Sequence, residues 1–221
     1  MGQAAHGISP EILRYVVGEV QKVVALGVEV GLVIGAGNIF RGVAGAAGGM
    51  DRAAADHMGM LATVINCLAL RDGLIRAGME SRVMSAIAMA GICESFERDR
   101  ALRHLARGRV VIFAAGTGNP YFTTDTAAVL RALEIGAQVV YKATRVDGVY
   151  DRDPLKDQAA VRFDRLTYGE VLQRDLKVMD GAAISLARDN DTPIVVLDMN
   201  VPDNIRRSIC GEEVGTLVHR G

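Results

Sequence analysis

The chain has no Trp among its 221 residues and only five Tyr and five Phe, so its core cannot rest on large rings. Half of the residues are nonetheless hydrophobic. Val, Ile, Leu, Ala and Met must therefore do the packing, a composition suited to a buried parallel sheet flanked by helices. Cysteine is scarce too. Cys67, Cys93 and Cys210 are odd in number, widely spaced and form no C-x-x-C pair, which leaves neither a disulfide framework nor a zinc site and points to a reducing, cytoplasmic setting. An excess of one charge is also missing. With 25 Lys and Arg against 26 Asp and Glu, the chain makes no field that would collect nucleic acid or an anionic membrane. No apolar run approaches the roughly 20 residues of a membrane span, and the N-terminus lacks a basic-then-apolar signal pattern. His6, His57, His104 and His219 lack metal-ligand spacing. The partners that remain are small molecules.

What is present is alternation of strand and helix patterns. Ser9-Pro10-Glu11 reads as N-cap, N1 and N2 of a helix reaching Gly27, with apolar residues from Ile12 to Val24 at helical spacing. Apolar runs at 28–34, 81–87, 110–115, 138–142 and 194–197, and a shorter one at 216–218, read as strands. Between them, helices are expected at 51–77, 97–106, 124–133, 168–174, 180–189 and 203–210, and parallel βαβ units follow. The turn-rich stretch 143–154 reads as a surface loop. There is no internal repeat and no linker, so residues 1–221 are expected to form one α/β domain.

The densest signal is Thr117-Gly118-Asn119-Pro120-Tyr121-Phe122-Thr123-Thr124-Asp125, directly after an apolar strand. Gly118 allows close approach to the backbone, and Thr123 or Thr124 can cap a helix whose free N–H groups favour an anion. Such a loop suits a small polar or phosphorylated ligand. A second glycine turn, Gly35-Ala36-Gly37-Asn38-Ile39-Phe40-Arg41-Gly42, invites the dinucleotide pattern G-x-G-x-x-G. It departs at Phe40, where the third glycine should allow close helix packing, and a dehydrogenase reading becomes awkward. Arg41 after this turn can reach phosphate oxygens. No G-x-x-x-x-G-K-[ST] occurs, which excludes a P-loop. Asp56 lies inside the long helix near Gly59, whose helix-interior position costs about 1 kcal/mol relative to Ala. It is placed to accept ribose hydroxyls. Lys142 at a strand end and Asp180 at a helix start are the other charged candidates. Each would otherwise be an ordinary surface ion-pair residue.

Taken together, the segments 33–42, 56–63, 115–125, 142–150 and Leu176-Lys177-Val178-Met179-Asp180 closely resemble bacterial UMP kinases of the amino acid kinase superfamily, over essentially the whole chain. The resemblance implies a three-layer αβα sandwich with a central, mostly parallel sheet. It implies transfer of the ATP γ-phosphoryl to UMP with Mg2+, and no resident metal site. Carried over by position, UMP contacts fall on Ala36, Asp56, Thr117, Gly118, Asn119, Pro120, Tyr121, Phe122, Thr123 and Thr124. ATP contacts fall on Gly37, Arg41, Thr144, Tyr150 and Asp153. Asp180, Lys142 and Arg41 carry the catalytic roles, Asp180 as organiser of the lysines that meet the phosphoryl group. Activation by GTP falls on Gly2, Gln3, Ala4, Ala5, His6 and Gly7, with Arg71, Arg82 and Arg109 as phosphate partners. Inhibition by UTP and a homohexamer are also implied.

Members of the family begin with an apolar strand running into Lys-Leu-Ser-Gly-Glu, and Met1-Gly2 aligns just beyond that turn. Two readings follow, a kinase whose natural chain starts earlier and a uridine-nucleotide-binding subunit with impaired catalysis. On the second, the chain as written would be nearly inactive.

Overall fold

The structure, a computed structural model, describes residues 7–40, 48–154 and 156–221. It divides into two compact units, residues 1–127 and 128–221.

In the first unit, Ser9 caps helix α1 (Pro10–Val24) by accepting the Ile12 N–H at 3.4 Å, and Pro10 opens the helix where no intrahelical N–H is needed. Gly27, at φ +79°, takes the left-handed step just beyond its end. Strand β1 (Gly31–Val33) is shorter than the apolar run that announces it. Asp51 caps the 25-residue α2 (Arg52–Arg76) through the Ala54 N–H at 2.9 Å. Strands β2 (Ser81–Ser85), β3 (Glu94–Ser95) and β4 (Val110–Ala114), with helix α3 (Arg98–Leu105), complete the sheet. Its order is β1-β4-β2-β3, with every pair parallel. β4 lies inside, buried at all five positions, which accounts for its unbroken apolar sequence.

Helix α2 has the length and hydropathy of a membrane span, but its inner face is core. Met60, Val64, Cys67, Leu70 and Leu74 follow helical spacing and pack with Val83, Val110 and Ile112 of the sheet. Gly73 lets α1 approach α2, since a Cβ there would stand 3.0 Å from a Val17 methyl. Burial pushes the Cys67 thiol up to about 12. The sign for stability is therefore fixed: the unfolded thiol ionises near 9 and the folded one does not, so stability falls as pH rises from about 9 towards 12. A thiol reagent at pH 8 is expected to label exposed Cys210 in the native protein and Cys67 only after unfolding. Mass spectrometry of labelled peptides checks this, and rapid native labelling at Cys67 would contradict it.

Helix α4 (Thr124–Ile135) leads into the second unit, where β5 (Val140–Thr144), β8 (Arg165–Thr167), β9 (Ile194–Asp198) and β10 (Thr216–His219) form a sheet of order β5-β9-β10-β8. Helices α5 (Tyr168–Gln173), α6 (Gly181–Asp189) and α7 (Asn204–Ile209) accompany it. Two of its pairings are parallel and one, between β9 and β10, is antiparallel, in keeping with the expected mostly parallel sheet. The α5 start is a full capping box, with Thr167 and Glu170 each bonding the other's backbone N–H. The stretch read as a plain loop carries a strand, β6 (Val149–Tyr150), paired antiparallel with β7 (Arg162–Phe163). Both sheets are mostly parallel and flanked by helices, as the α/β reading requires.

Candidate active site

Strands β1 and β4 are adjacent and parallel, so the Gly35 turn and the 115–122 loop leave the sheet at the same, carboxyl end of the strands. That is where open α/β sheets bind ligands. The loop is tightly made. Ala115, Gly116, Gly118 and Tyr121 all have positive φ, at 62°, 58°, 83° and 71°. For Ala115 and Tyr121 this is a disfavoured conformation that surrounding bonds must hold. The Ala115 N–H donates to Thr63 Oγ1 at 2.8 Å, and that hydroxyl donates to the Met60 carbonyl at 2.7 Å, so helix α2 fixes the start of the loop. Gly118 is needed for closeness within the chain itself. A Cβ there would stand 3.2 Å from that of Ala86, beyond the end of β2.

Further along, Thr117 Oγ1 accepts the Asn119 N–H and donates to the Asn119 carbonyl, both at 3.2 Å. Thr123 Oγ1 accepts the N–H groups of Asp125 and Thr126, which makes Thr123 the cap of α4. Thr124 faces the other turn, its hydroxyl 3.7 Å from where a Cβ of Gly35 would be. Pro120, Tyr121 and Phe122 form the tip, and the Tyr121 and Phe122 side chains are exposed.

Asp56 ties the helix to this tip. Its Oδ2 accepts the Tyr121 N–H and the Arg52 Nε–H, each at 2.8 Å, while its side chain keeps only 10% of its exposure. The Arg52 guanidinium lies over the Tyr121 ring, 5.5 Å from its centroid. Asn66 does similar work beneath the second turn. Buried inside α2, it donates to the Gly35 carbonyl at 2.9 Å and exchanges hydrogen bonds with Asn38, which also donates to the Gly7 carbonyl. The Ala36 carbonyl accepts the N–H groups of Ile39 and Phe40, and the residue lies outside the left-handed region, so its methyl brings the turn no backbone strain. Gly37 belongs to the same turn, whereas Arg41 lies outside the described residues.

Arg52 and Asn66 lie outside every motif, and Thr63 ends the 56–63 segment with nothing in its neighbours to signal the bond it makes. A polar residue inside a helix ordinarily marks a solvated face, and only the turns that follow β1 and β4 make these three meaningful.

In the second unit, Lys142 lies mid-strand on β5, an edge of its sheet, and Asp180 caps α6 by accepting the Ala183 N–H at 2.9 Å. Thr144 closes a turn on Val146, its hydroxyl donating to the carbonyl at 2.7 Å and accepting the N–H at 2.9 Å. The Tyr150 hydroxyl donates to Asp147 Oδ1 at 2.5 Å, and Arg162 pairs with Asp147 Oδ2 at 3.1 Å. Burial pushes the Asp147 carboxyl up, but the bonds from Tyr150, its own backbone and Arg162 outweigh this and hold it below its ordinary value. The same bond to Asp147 raises the Tyr150 phenol. Thr216 mounts this hairpin on the sheet: it accepts the Val149 N–H at 2.8 Å and donates to the Phe163 carbonyl. The Asp153 backbone carbonyl accepts the N–H groups of Lys156 and Asp157.

Gly2, Gln3, Ala4, Ala5 and His6 lie outside the described residues, and Gly7 bonds to Asn38 of the Gly35 turn. Arg71 and Arg82 line one shallow groove with Gly91 to Glu94, and Arg109 pairs with Glu80 at 2.6 Å. Among the described residues no three His, Cys, Asp or Glu side chains come close enough together to hold a metal ion.

Residues 2–198 match the model of the amino acid kinase family. The chain is 57% identical over 218 residues to a uridylate kinase of Paramagnetospirillum magneticum, covering 99% of itself and 91% of that relative. It belongs to the uridylate kinases of the amino acid kinase family. Solved amino acid kinase structures agree. A UMP kinase from Bacillus anthracis, 40% identical, superposes with a TM-score of 0.95 over 98% of this chain and 90% of its own. One from Ureaplasma parvum, 33% identical, gives 0.90 over 96% and 91%. These uridylate kinase relatives lend no support to the reading of a non-catalytic binding subunit.

Proposed function

We propose that this phosphotransferase moves the γ-phosphoryl group of ATP to UMP, giving UDP for pyrimidine nucleotide synthesis. The observation that carries the reading is the joining of Asp56, the 117–124 loop and the Gly35 turn at the carboxyl ends of β1 and β4. Asp56 offers an acceptor to ribose hydroxyls, and the loop offers alternating donors and acceptors to the uracil edge. The α4 N-terminus and Arg41 take the acceptor phosphate. Thr144, Tyr150 and Asp153 hold ATP, which arrives as its Mg2+ complex, with the metal brought by the substrate phosphates. Such a transfer needs no protein nucleophile. Positioning and positive charge do the work, Lys142 supplying charge and Asp180 organising it.

The free thiols Cys67, Cys93 and Cys210 favour a cytoplasmic setting. On α2, Met58, Leu61 and Ile65 are exposed at successive helical turns, and this apolar stripe favours self-association, in the reading a homohexamer. Activation by GTP near Gly7, Arg71, Arg82 and Arg109, and inhibition by UTP, complete the reading.

The test is a coupled assay of ADP formation with UMP, CMP, AMP and GMP in turn. UMP is expected to be preferred at least a hundredfold, because a site built for one pattern of donors leaves buried groups unpaired with another base. Asp56→Asn is expected to raise the KM for UMP about tenfold or more and leave that for ATP unchanged. Equal turnover of CMP would overturn the loop assignment, and an unaltered KM for UMP would remove Asp56 from the site.

A further inference from the structure

Arg52 is in the wrong place to serve its helix. It occupies the first position of α2, directly after the Asp51 cap, where the positive end of the helix dipole disfavours a cation. Its ion pair with Asp56 runs with the base N-terminal to the acid, the less favourable order for an i,i+4 pair. Helix stability therefore gives no reason for this residue. The reason lies in what the pair holds outside the helix.

Oδ2 of Asp56 receives two donors, one from the helix through Arg52 and one from the ligand loop through the Tyr121 N–H. Among the described residues no hydrogen bond reaches Oδ1, so the carboxylate is turned with one oxygen saturated by protein and the other available. Nε makes the bond, and the planar guanidinium covers the Tyr121 ring at 5.5 Å. One side chain thus grips both the carboxylate and the loop residue that bonds to it. Tyr121 needs such a grip, because it has a left-handed backbone, at φ 71°, and as a residue is two-thirds exposed. Lysine could supply the charge alone, but neither the fixed Nε direction nor the stacking plane.

We propose that Arg52 is a positioning residue for the acceptor nucleotide. It presents Oδ1 of Asp56 to the ribose and holds the 117–122 loop in its ligand-ready form, without touching the reacting atoms. This rests on the reading of that loop and Asp56 as the UMP site.

Steady-state kinetics with each substrate varied in turn test it, using Arg52→Gln, Arg52→Lys, Tyr121→Ala and the double variant Arg52→Gln/Tyr121→Ala. Arg52→Gln is expected to raise the KM for UMP about tenfold, with the KM for ATP unchanged and kcat within threefold. Arg52→Lys should recover only part of that loss. The double variant should bind UMP no worse than about the poorer single variant, since both remove one grip. A role in folding alone would move both KM values together or lower kcat through loss of active protein, and either result overturns the proposal. So does full recovery by lysine, or losses that multiply in the double variant. Asp56→Asn, assayed in parallel, separates the two levels of inference. A raised KM for UMP there with an unchanged one in Arg52→Gln defeats the positioning role alone, whereas no change in Asp56→Asn defeats the site on which it rests.

Discussion

Asp180→Asn is expected to lower kcat for UDP formation by about a hundredfold or more while leaving the melting temperature unchanged. The substitution separates two jobs that one carboxylate performs. As the cap of α6 it accepts the Ala183 N–H, and asparagine caps a helix about as well as aspartate. The fold therefore keeps its bond. As organiser of the cations around the transferring phosphoryl it needs negative charge, which asparagine lacks, and charge placement of this kind is commonly worth about 3 kcal/mol or more in the transition state. Lys142→Met belongs to the same experiment. Lys142 lies mid-strand on an edge strand whose sequence neighbours Tyr141 and Ala143 are apolar, so methionine fits there with little structural disturbance and should lower kcat comparably. Single-turnover assays paired with thermal denaturation decide the matter. If Asp180→Asn retains kcat within threefold, the carboxylate is a cap and nothing more.

Some of this arrangement was open to inspection in the sequence and some was not, and the division has physical causes. The α1 helix announces itself with Ser9, Pro10 and a regular apolar face, and β4 with an unbroken run that only an interior parallel strand requires. The loop at 117–124 is visible because its residue types are the ones that close turns and cap helices. By contrast, β3 is two polar residues long, and β6 and β7 form a short hairpin whose anchor, Thr216, is more than fifty residues away from either. No local pattern contains that bond. The left-handed residues were half legible: Gly118 signals one, but Ala115 and Tyr121 take the same conformation against their own preference, held by Thr63 and Asp56. Gly35 misleads in the other direction. Its φ is ordinary, and no other side chain crowds it, since its nearest neighbour would be the Thr124 hydroxyl at 3.7 Å.

Gly215 is the position at which the second unit is expected to be most sensitive. A Cβ built there would stand 2.1 Å from the Val196 carbonyl oxygen and 3.0 Å from the Leu197 Cβ, and the residue has φ +81°. Backbone cannot swing aside as a side chain does. Gly215 directly precedes β10, which lies between β9 and β8, and Thr216 pairs in register with Val196 on β9. Relief of the clash must therefore push β10 away from β9. The same movement would pull Thr216 from Val149 and Phe163 and loosen the hairpin that carries Tyr150. Gly215→Ala is expected to cost about 3 to 5 kcal/mol, the sum of left-handed strain and a backbone clash. For a chain of this size that is a fall in melting temperature of roughly 10 °C. Gly136→Ala supplies the control, because Gly136 has φ +67° but nothing within 4 Å of its Cβ position. It should show the strain alone, about 1 kcal/mol. Before it unfolds, the Gly215 variant should also bind ATP more weakly while its UMP affinity holds, since Asp56 and the 117–122 loop belong to the other unit. Thermal denaturation and nucleotide titration of the two variants check both parts, and equal melting temperatures would show that β10 accommodates a methyl group after all.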